Sequence, residues 1–164
     1  MDIRSTAVII ALDGTLLDNS SIRHLLAGHD RDFDCPATGD YVARSLLCPP
    51  DARMLQLALL EQALGHRVFI LTSRPSQYRA AVELWLGRHG LIADGILMSA
   101  DRNLSTDTEL KAAMAAAILA DHDIVHAYDD DPGVVDAYNG LGISSTHCMP
   151  AGTARVPAAA ASLR

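Results

Sequence analysis

Residues Ala7–Leu12 (AVIIAL) are six consecutive apolar positions. The run is short for a helix and does not alternate, so it reads as a β-strand buried on both faces. Such a strand needs a layer of helices on each side. Apolar runs alternate with helical patterns down the chain, which predicts an α/β domain with a mainly parallel sheet. Further strands are expected at Arg67–Leu71, Gly95–Met98, Ile124–Tyr128 and Ile143–His147. A helix is expected at Asp51–Leu64, with Leu55, Leu59 and Ala63 on one face and Gly65 at its C-terminal stop. Another is expected at Ser76–His89, with Tyr78, Val82 and Trp85 at helical spacing. Asp107–Ala120, capped by Thr106 or Asp107, and Pro132–Asn139, with proline in its first turn, complete the set. Residues 18–50 read as an irregular polar insert, a small flap with a short helix at Ile22–Leu26. The alanine-rich residues 151–164 show no packing pattern and read as a loose tail, leaving 1–150 as one domain.

A chain of 164 residues suffices for one core. The formal charge is −7 and no Lys/Arg-rich run occurs, which argues against broad duplex nucleic-acid binding but allows one phosphate at a local site. Cys35, Cys48 and Cys148 lack CxxC spacing and read as reduced thiols of a cytoplasmic protein. No apolar run reaches the roughly 18 residues of a membrane span, and the N-terminus lacks a signal-peptide core, so no membrane association is expected.

Polar residues gather at the ends of the expected strands, where open parallel sheets bind ligands. Asp13 follows the first strand, Thr72, Ser73 and Arg74 the second, and Asp129, Asp130 and Asp131 the fourth; Lys111 lies on the preceding helix. Each alone has an ordinary explanation: a turn, a helix cap, an acidic loop, a solvated lysine. Together they suit phosphoryl transfer. Asp129 and Asp130 offer hard oxygen ligands for Mg²⁺. Thr72, with Ser73 beside it, offers hydroxyl and backbone N–H groups to phosphate oxygens, and Arg74 a bidentate fork. Lys111 offers a point charge that also steadies carboxylates. Asp13 is placed to protonate a leaving oxygen and deprotonate the hydrolytic water.

Leu12-Asp13-Gly14-Thr15, Val68-Phe69-Ile70-Leu71-Thr72, Lys111 and Tyr128-Asp129-Asp130 stand in the order of the four motifs of the haloacid dehalogenase (HAD) phosphohydrolase superfamily, which the chain resembles from Ala7 to Ile143. Within it, Leu71-Thr72-Ser73-Arg74, Asp129-Asp130 and Val134-Val135-Asp136 are similar to the phosphatase domains of polynucleotide kinase-phosphatases. The resemblance implies a Rossmann-like three-layer sandwich with a five-stranded sheet in the order 5-4-1-2-3. It also implies Mg²⁺ dependence and phosphomonoester hydrolysis, with the backbone carbonyl of Asp13, Asp129 and Asp130 as metal ligands and Asp131 as a further acidic group. Expected substrates are a polynucleotide 3′-phosphate end, a nucleotide or a small phosphate ester. The insert at 18–50 and the stretch Ser99–Thr106 are too short for a large cap domain. The site should therefore be open, or closed by a small flap or a second copy in a homo-oligomer.

One position departs from the motif. The covalent nucleophile, also a metal ligand, should stand at position 11, and the chain has Ala11. Two readings follow. In one, aspartate has been replaced by alanine, giving an inactive or substrate-trapping phosphatase. In the other, the chain is a natural non-phosphatase that binds phosphorylated ligands or uses Asp13 as an acid/base in other chemistry. A signalling receiver domain is disfavoured, because its acidic pair follows the first strand and its lysine the fifth. A dinucleotide-binding protein is disfavoured because no GxGxxG follows the first strand.

Overall fold

Thr6–Ala11 (β1) lies at the centre of a five-stranded sheet, where a strand apolar on both faces belongs. The computed structural model describes residues 4–26, 36–100 and 106–149. Arg67–Pro75 (β2) and Gly95–Ser99 (β3) extend the sheet on one side; Asp123–Asp129 (β4) and Ser145–His147 (β5) extend it on the other. The order is β3-β2-β1-β4-β5 and every neighbouring pair is parallel. The expected Rossmann-like α/β sandwich and its strand order are thus present. No large cap interrupts the fold among the described residues.

Alternation along β1 divides the core in two. Val8 and Ile10 pack with Val68, Ile70, Trp85 and Leu86 on one face. Pro36–Ser45 (α1), Ala52–Ala63 (α2) and Arg79–Arg88 (α3) supply that layer. Ala7 and Ile9 pack on the other face with residues of Asp107–Asp121 (α4) and Pro132–Gly140 (α5), among them Met114, Ile118 and Tyr138. Each fully buried Val or Ile contributes about 1.5–3 kcal/mol relative to exposure. Two helix starts are chemically specified. Asp51 accepts from the backbone N–H groups of Arg53 (2.9 Å) and Met54 (3.2 Å). Thr106 and Glu109 form a reciprocal capping box at the start of α4.

Three expectations need correction. Residues 18–50 are not wholly irregular, because α1 is a ten-residue helix within them. Gly39 and the β-branched Thr38 weaken its local signal; burial of Tyr41 and Val42 in the first core supplies the stability that propensity lacks. The inward face of α2 centres on fully buried Ala58, with Met54, Leu55 and Leu57 against the core, whereas Leu59 and Ala63 face out. The second strand runs past Leu71 to Pro75, because pairing with β3 resumes at Pro75–Ser99 after an irregularity, carrying polar residues beyond the apolar run.

Smaller boundary differences are a 3-10 turn at Arg23–Leu26 and another at Ser76–Tyr78 ahead of α3. Cys48 is buried and Cys148 half-buried, and both are free thiols. Cys35 and the tail at 151–164 lie outside the described residues. Among the described residues no helix is long and apolar enough to cross a membrane.

Candidate functional site

The carboxyl ends of β1, β2 and β4 meet at a cavity of about 270 Å³. Asp13, Thr72, Ser73, Arg74, Lys111, Asp130 and Asp131 all line it. The sheet order brings them together, because β1 lies between β2 and β4.

Asp13 stands one turn beyond β1. Its Oδ1 accepts from Arg74 Nη2 at 2.6 Å and from the Tyr41 hydroxyl at 2.7 Å. Its Oδ2 accepts from Arg74 Nε at 2.9 Å and from the Thr72 hydroxyl at 3.2 Å. Burial by itself would raise this carboxyl, but the Arg74 charge and these hydrogen bonds hold it below the usual carboxylate range. Arg74 is 5% exposed and gives a third N–H, from Nη1, to Ser45 Oγ at 2.9 Å. The fork assigned to a phosphate is thus closed on Asp13, and at least three of its five N–H groups are used within the protein.

Lys111 projects from α4 and donates to both oxygens of Asp129, at 2.9 and 3.2 Å. It lies 3.4 Å from Asp107 one helical turn back. Burial drives Asp129 toward its neutral form, whereas the neighbouring carboxylates overcome burial and hold Lys111 charged. The short contacts to both carboxylate oxygens favour the ion pair. Asp129 is fully buried and also accepts from the Asp131 backbone N–H. Asp131 caps α5 through the Gly133 N–H, which gives it a structural duty as well as a place on the cavity wall.

Ala11 is fully buried and does not line the cavity. Ala7 and Ile9 face α4 and α5, so alternation puts Ala11 on that face too. The register Ile10–Tyr128 sets Asp129 next in line beside it, on the same face as Ala127. A carboxylate at position 11 would therefore point toward the Lys111–Asp129 pair.

Asp130 contacts Arg23 Nη2 at 3.3 Å, and its carboxylate lies over the Gly14 backbone. Burial first and Asp129 second push its carboxyl above the usual range. A Cβ built on Gly14 would lie 2.2 Å from Asp130 Oδ2, and Gly14 has φ +77°. Both space and backbone therefore require glycine here. Gly14→Ala is expected to destabilise the protein by about 1–3 kcal/mol, the range for a strained backbone position. Denaturant unfolding checks this, and an unchanged midpoint would contradict the close approach of Asp130.

Residue type and spacing did not reveal Arg23, Asn19, Thr38, Tyr41, Ser45 or Asp107. All but Asp107 come from the insert, where no motif or strand end marks them. Asp107 was legible only as a helix start. Arg23 is the most exposed cation on the cavity wall, its side chain 52% accessible.

Mg²⁺ is tested by the donor set. Asp129, Asp130 and the Asp13 carbonyl are hard oxygens, and Mg²⁺ is commonly held by one or two carboxylates with substrate oxygens and waters. The close seat of Asp130 over the Asp13–Gly14 turn fits that arrangement. Thr15 Oγ1 and Asp107 Oδ1 are buried oxygens without a hydrogen-bond partner among the described residues. Among those residues no group of three His, Cys, Asp or Glu side chains could hold a metal.

No protein-family model matches the chain, and no curated protein sequence matches it significantly. Solved structures do. A chain of the Pnkp1/Rnl/Hen1 RNA repair complex superposes with a TM-score of 0.73 at 19% identity, over 90% of this chain and 43% of that one. The class C acid phosphatase from Bacillus anthracis gives 0.63 at 15% identity, over 86% and 63%. A haloacid dehalogenase-like family hydrolase from Streptococcus pneumoniae gives 0.57 at 14% identity, over 86% and 83%. The chain spans less than half of the repair-complex protein it matches. At these identities the likeness establishes the fold, and the fold is the one these phosphatases and hydrolases share.

Proposed function

We propose that this chain is a HAD-type phosphomonoester hydrolase scaffold in a nucleophile-less form, which binds a phosphorylated ligand and does not turn it over. The observation that carries the reading is the convergence of Asp13, Thr72, Arg74, Lys111 and Asp130 on one cavity at the ends of three adjacent strands. The fold likeness to phosphatases adds to it.

Four carboxylates (Asp13, Asp107, Asp130 and Asp131) line the cavity, with Asp129 buried behind it on Lys111, against three cations, Arg23, Arg74 and Lys111. A phosphate dianion meets net repulsion there unless another cation joins. Asp129, Asp130 and the Asp13 carbonyl would hold Mg²⁺, and bound Mg²⁺ would supply that missing charge. Thr72 and Ser73 offer hydroxyl and backbone donors to phosphate oxygens, and Arg23 a guanidinium held, among the described residues, by contacts of 3.3 and 3.4 Å. Asp13 moves protons, and Lys111 holds Asp129 in place. A cavity of 270 Å³ takes a phosphate with one sugar-sized group, so a longer substrate enters by its end. That favours a polynucleotide 3′-phosphate end or a nucleotide over an internal phosphodiester.

The reading is tested by calorimetry with Mg²⁺ on the Ala11 chain, using a 3′-phosphorylated oligonucleotide, its dephosphorylated form and a small sugar phosphate. The phosphorylated end should bind tightest. Preference for the sugar phosphate would move the function to small metabolites, and no phosphate dependence would remove it. Arg23→Ala should weaken phosphate-dependent binding by about 1.5–3 kcal/mol, the range for a hydrogen bond to a charged group. Because Arg23 is half-exposed, its loss should leave folding intact.

A further inference from the structure

Asp13 carries more hydrogen bonds than a reacting carboxylate can keep. Four donors fill it: Arg74 Nη2 and Tyr41 on Oδ1, Arg74 Nε and Thr72 on Oδ2. An ionised carboxylate has about four lone-pair sites, so none faces a leaving group or a water. One contact must open before Asp13 can move a proton. The Thr72 contact is the longest of the four, at 3.2 Å, and its hydroxyl is the one the proposed function gives to a phosphate oxygen.

The Oδ1 side is built differently. Asn19 Nδ2 donates to the Tyr41 oxygen at 2.9 Å, and Arg23 Nη2 donates to Asn19 Oδ1 at 3.4 Å. The Arg23 contact fixes which way the Asn19 amide faces. With the Asn19 N–H on its oxygen, the Tyr41 hydroxyl turns its own proton to Asp13. Tyr41 is 3% exposed, and its ring lies 5.3 Å below the Arg74 guanidinium. Ser45, one helical turn further along α1, accepts from the same arginine. A single helix face thus holds both members of the Asp13–Arg74 pair.

We propose that the two oxygens of Asp13 have separate duties, with Oδ1 anchored by Tyr41 and Oδ2 freed for proton transfer when Thr72 turns to the phosphate. Tyr41 is then a positioning residue, acting through Asp13. The proposal rests on the phosphatase reading of the same site. With a carboxylate at position 11, that carboxylate forms a bond to phosphorus as the ester P–O bond breaks. Once Thr72 has turned away, Oδ2 takes a proton from water and passes it to the ester oxygen, which leaves with the bonding pair. Water then attacks phosphorus, gives its proton to Oδ2, and the position-11 carboxylate departs.

Tyr41→Phe in the Ala11→Asp protein tests this, because it removes only the hydroxyl. The expected result is a fall in kcat of roughly ten- to hundredfold, with KM for a phosphomonoester changed less than about twofold, since misplacing a reacting group costs on this order. In the Ala11 chain Tyr41→Phe should leave phosphate affinity unchanged, whereas Thr72→Val should weaken it. An unchanged kcat, or a KM that rises as far as kcat falls, overturns the proposal. If Ala11→Asp produces no turnover, the phosphatase reading falls separately. The anchor is then read in the Ala11 chain from a Tyr41→Phe and Asp13→Asn double-mutant cycle of unfolding. Coupling of about fivefold or more supports the anchor, and additivity within about twofold overturns it.

Discussion

Ala11→Asp is expected to raise Mg²⁺-dependent phosphomonoesterase activity by on the order of 10⁴-fold or more, since loss of a covalent nucleophile costs about 10⁴–10⁶ in turnover. Position 11 ends β1, on the face shared with Asp129 and the α4 layer that carries Lys111. The new carboxylate would add a nucleophile and a third carboxylate for the metal at once. Mg²⁺ binding should therefore tighten in parallel, which calorimetry reads without turnover. The assay compares both chains on a 3′-phosphorylated oligonucleotide with and without chelator. Strong chelator-sensitive turnover by the Ala11 chain would defeat the assignment of position 11. A Mg²⁺ affinity that does not change would put position 11 outside the coordination sphere. The side chain would enter a buried position, so the variant should also lose some stability, which thermal unfolding monitors.

Lys111→Met is expected to destabilise the fold by about 3–5 kcal/mol, the cost of leaving a buried charge without its partner. Lys111 is the chain's only lysine beside twelve arginines, and it is one of its most buried cations. Met keeps most of the length and volume and removes the charge. Asp129, with no exposed surface, would lose the donor to both its oxygens. Adding Asp129→Asn should recover part of the loss, because the unpaired charge goes with it. Chemical denaturation of the two variants and the parent gives the comparison. A loss under about 1 kcal/mol, the value for exposed pairs, would mean the pair is solvated.

Position and chemistry at strand ends were legible because they depend on short-range order. Asp13, Thr72 and Asp129 follow apolar runs, and a parallel sheet delivers every such end to one edge. Lys111 was legible through its order among the motifs, not from its helix, where it could equally have faced solvent. The use of Arg74 was not legible. Nothing local says whether a guanidinium reaches a ligand or a neighbouring carboxylate, and here Asp13 and Ser45 take it. The α2 stripe misled for a related reason. Leu55, Leu59 and Ala63 fit helical spacing, yet the sheet receives the face around Ala58, where a small residue lets the helix approach.

The sequence by itself determined the architecture. A strand buried on both faces forces helices to both sides, and the alternation of runs along the chain gives a parallel sheet. It also determined the identity of the strand-end residues and the alanine at position 11. Only the tertiary structure decided how those residues are paired. Tyr41, Asn19, Ser45 and Arg23 come from an insert whose local pattern is weak. The contacts of Tyr41, Ser45 and Arg23 with Asp13, Arg74 and Asp130 span 28 to 107 positions along the chain. Most such contacts are fixed by packing rather than by spacing, because α1 exists only where the core accepts Tyr41 and Val42.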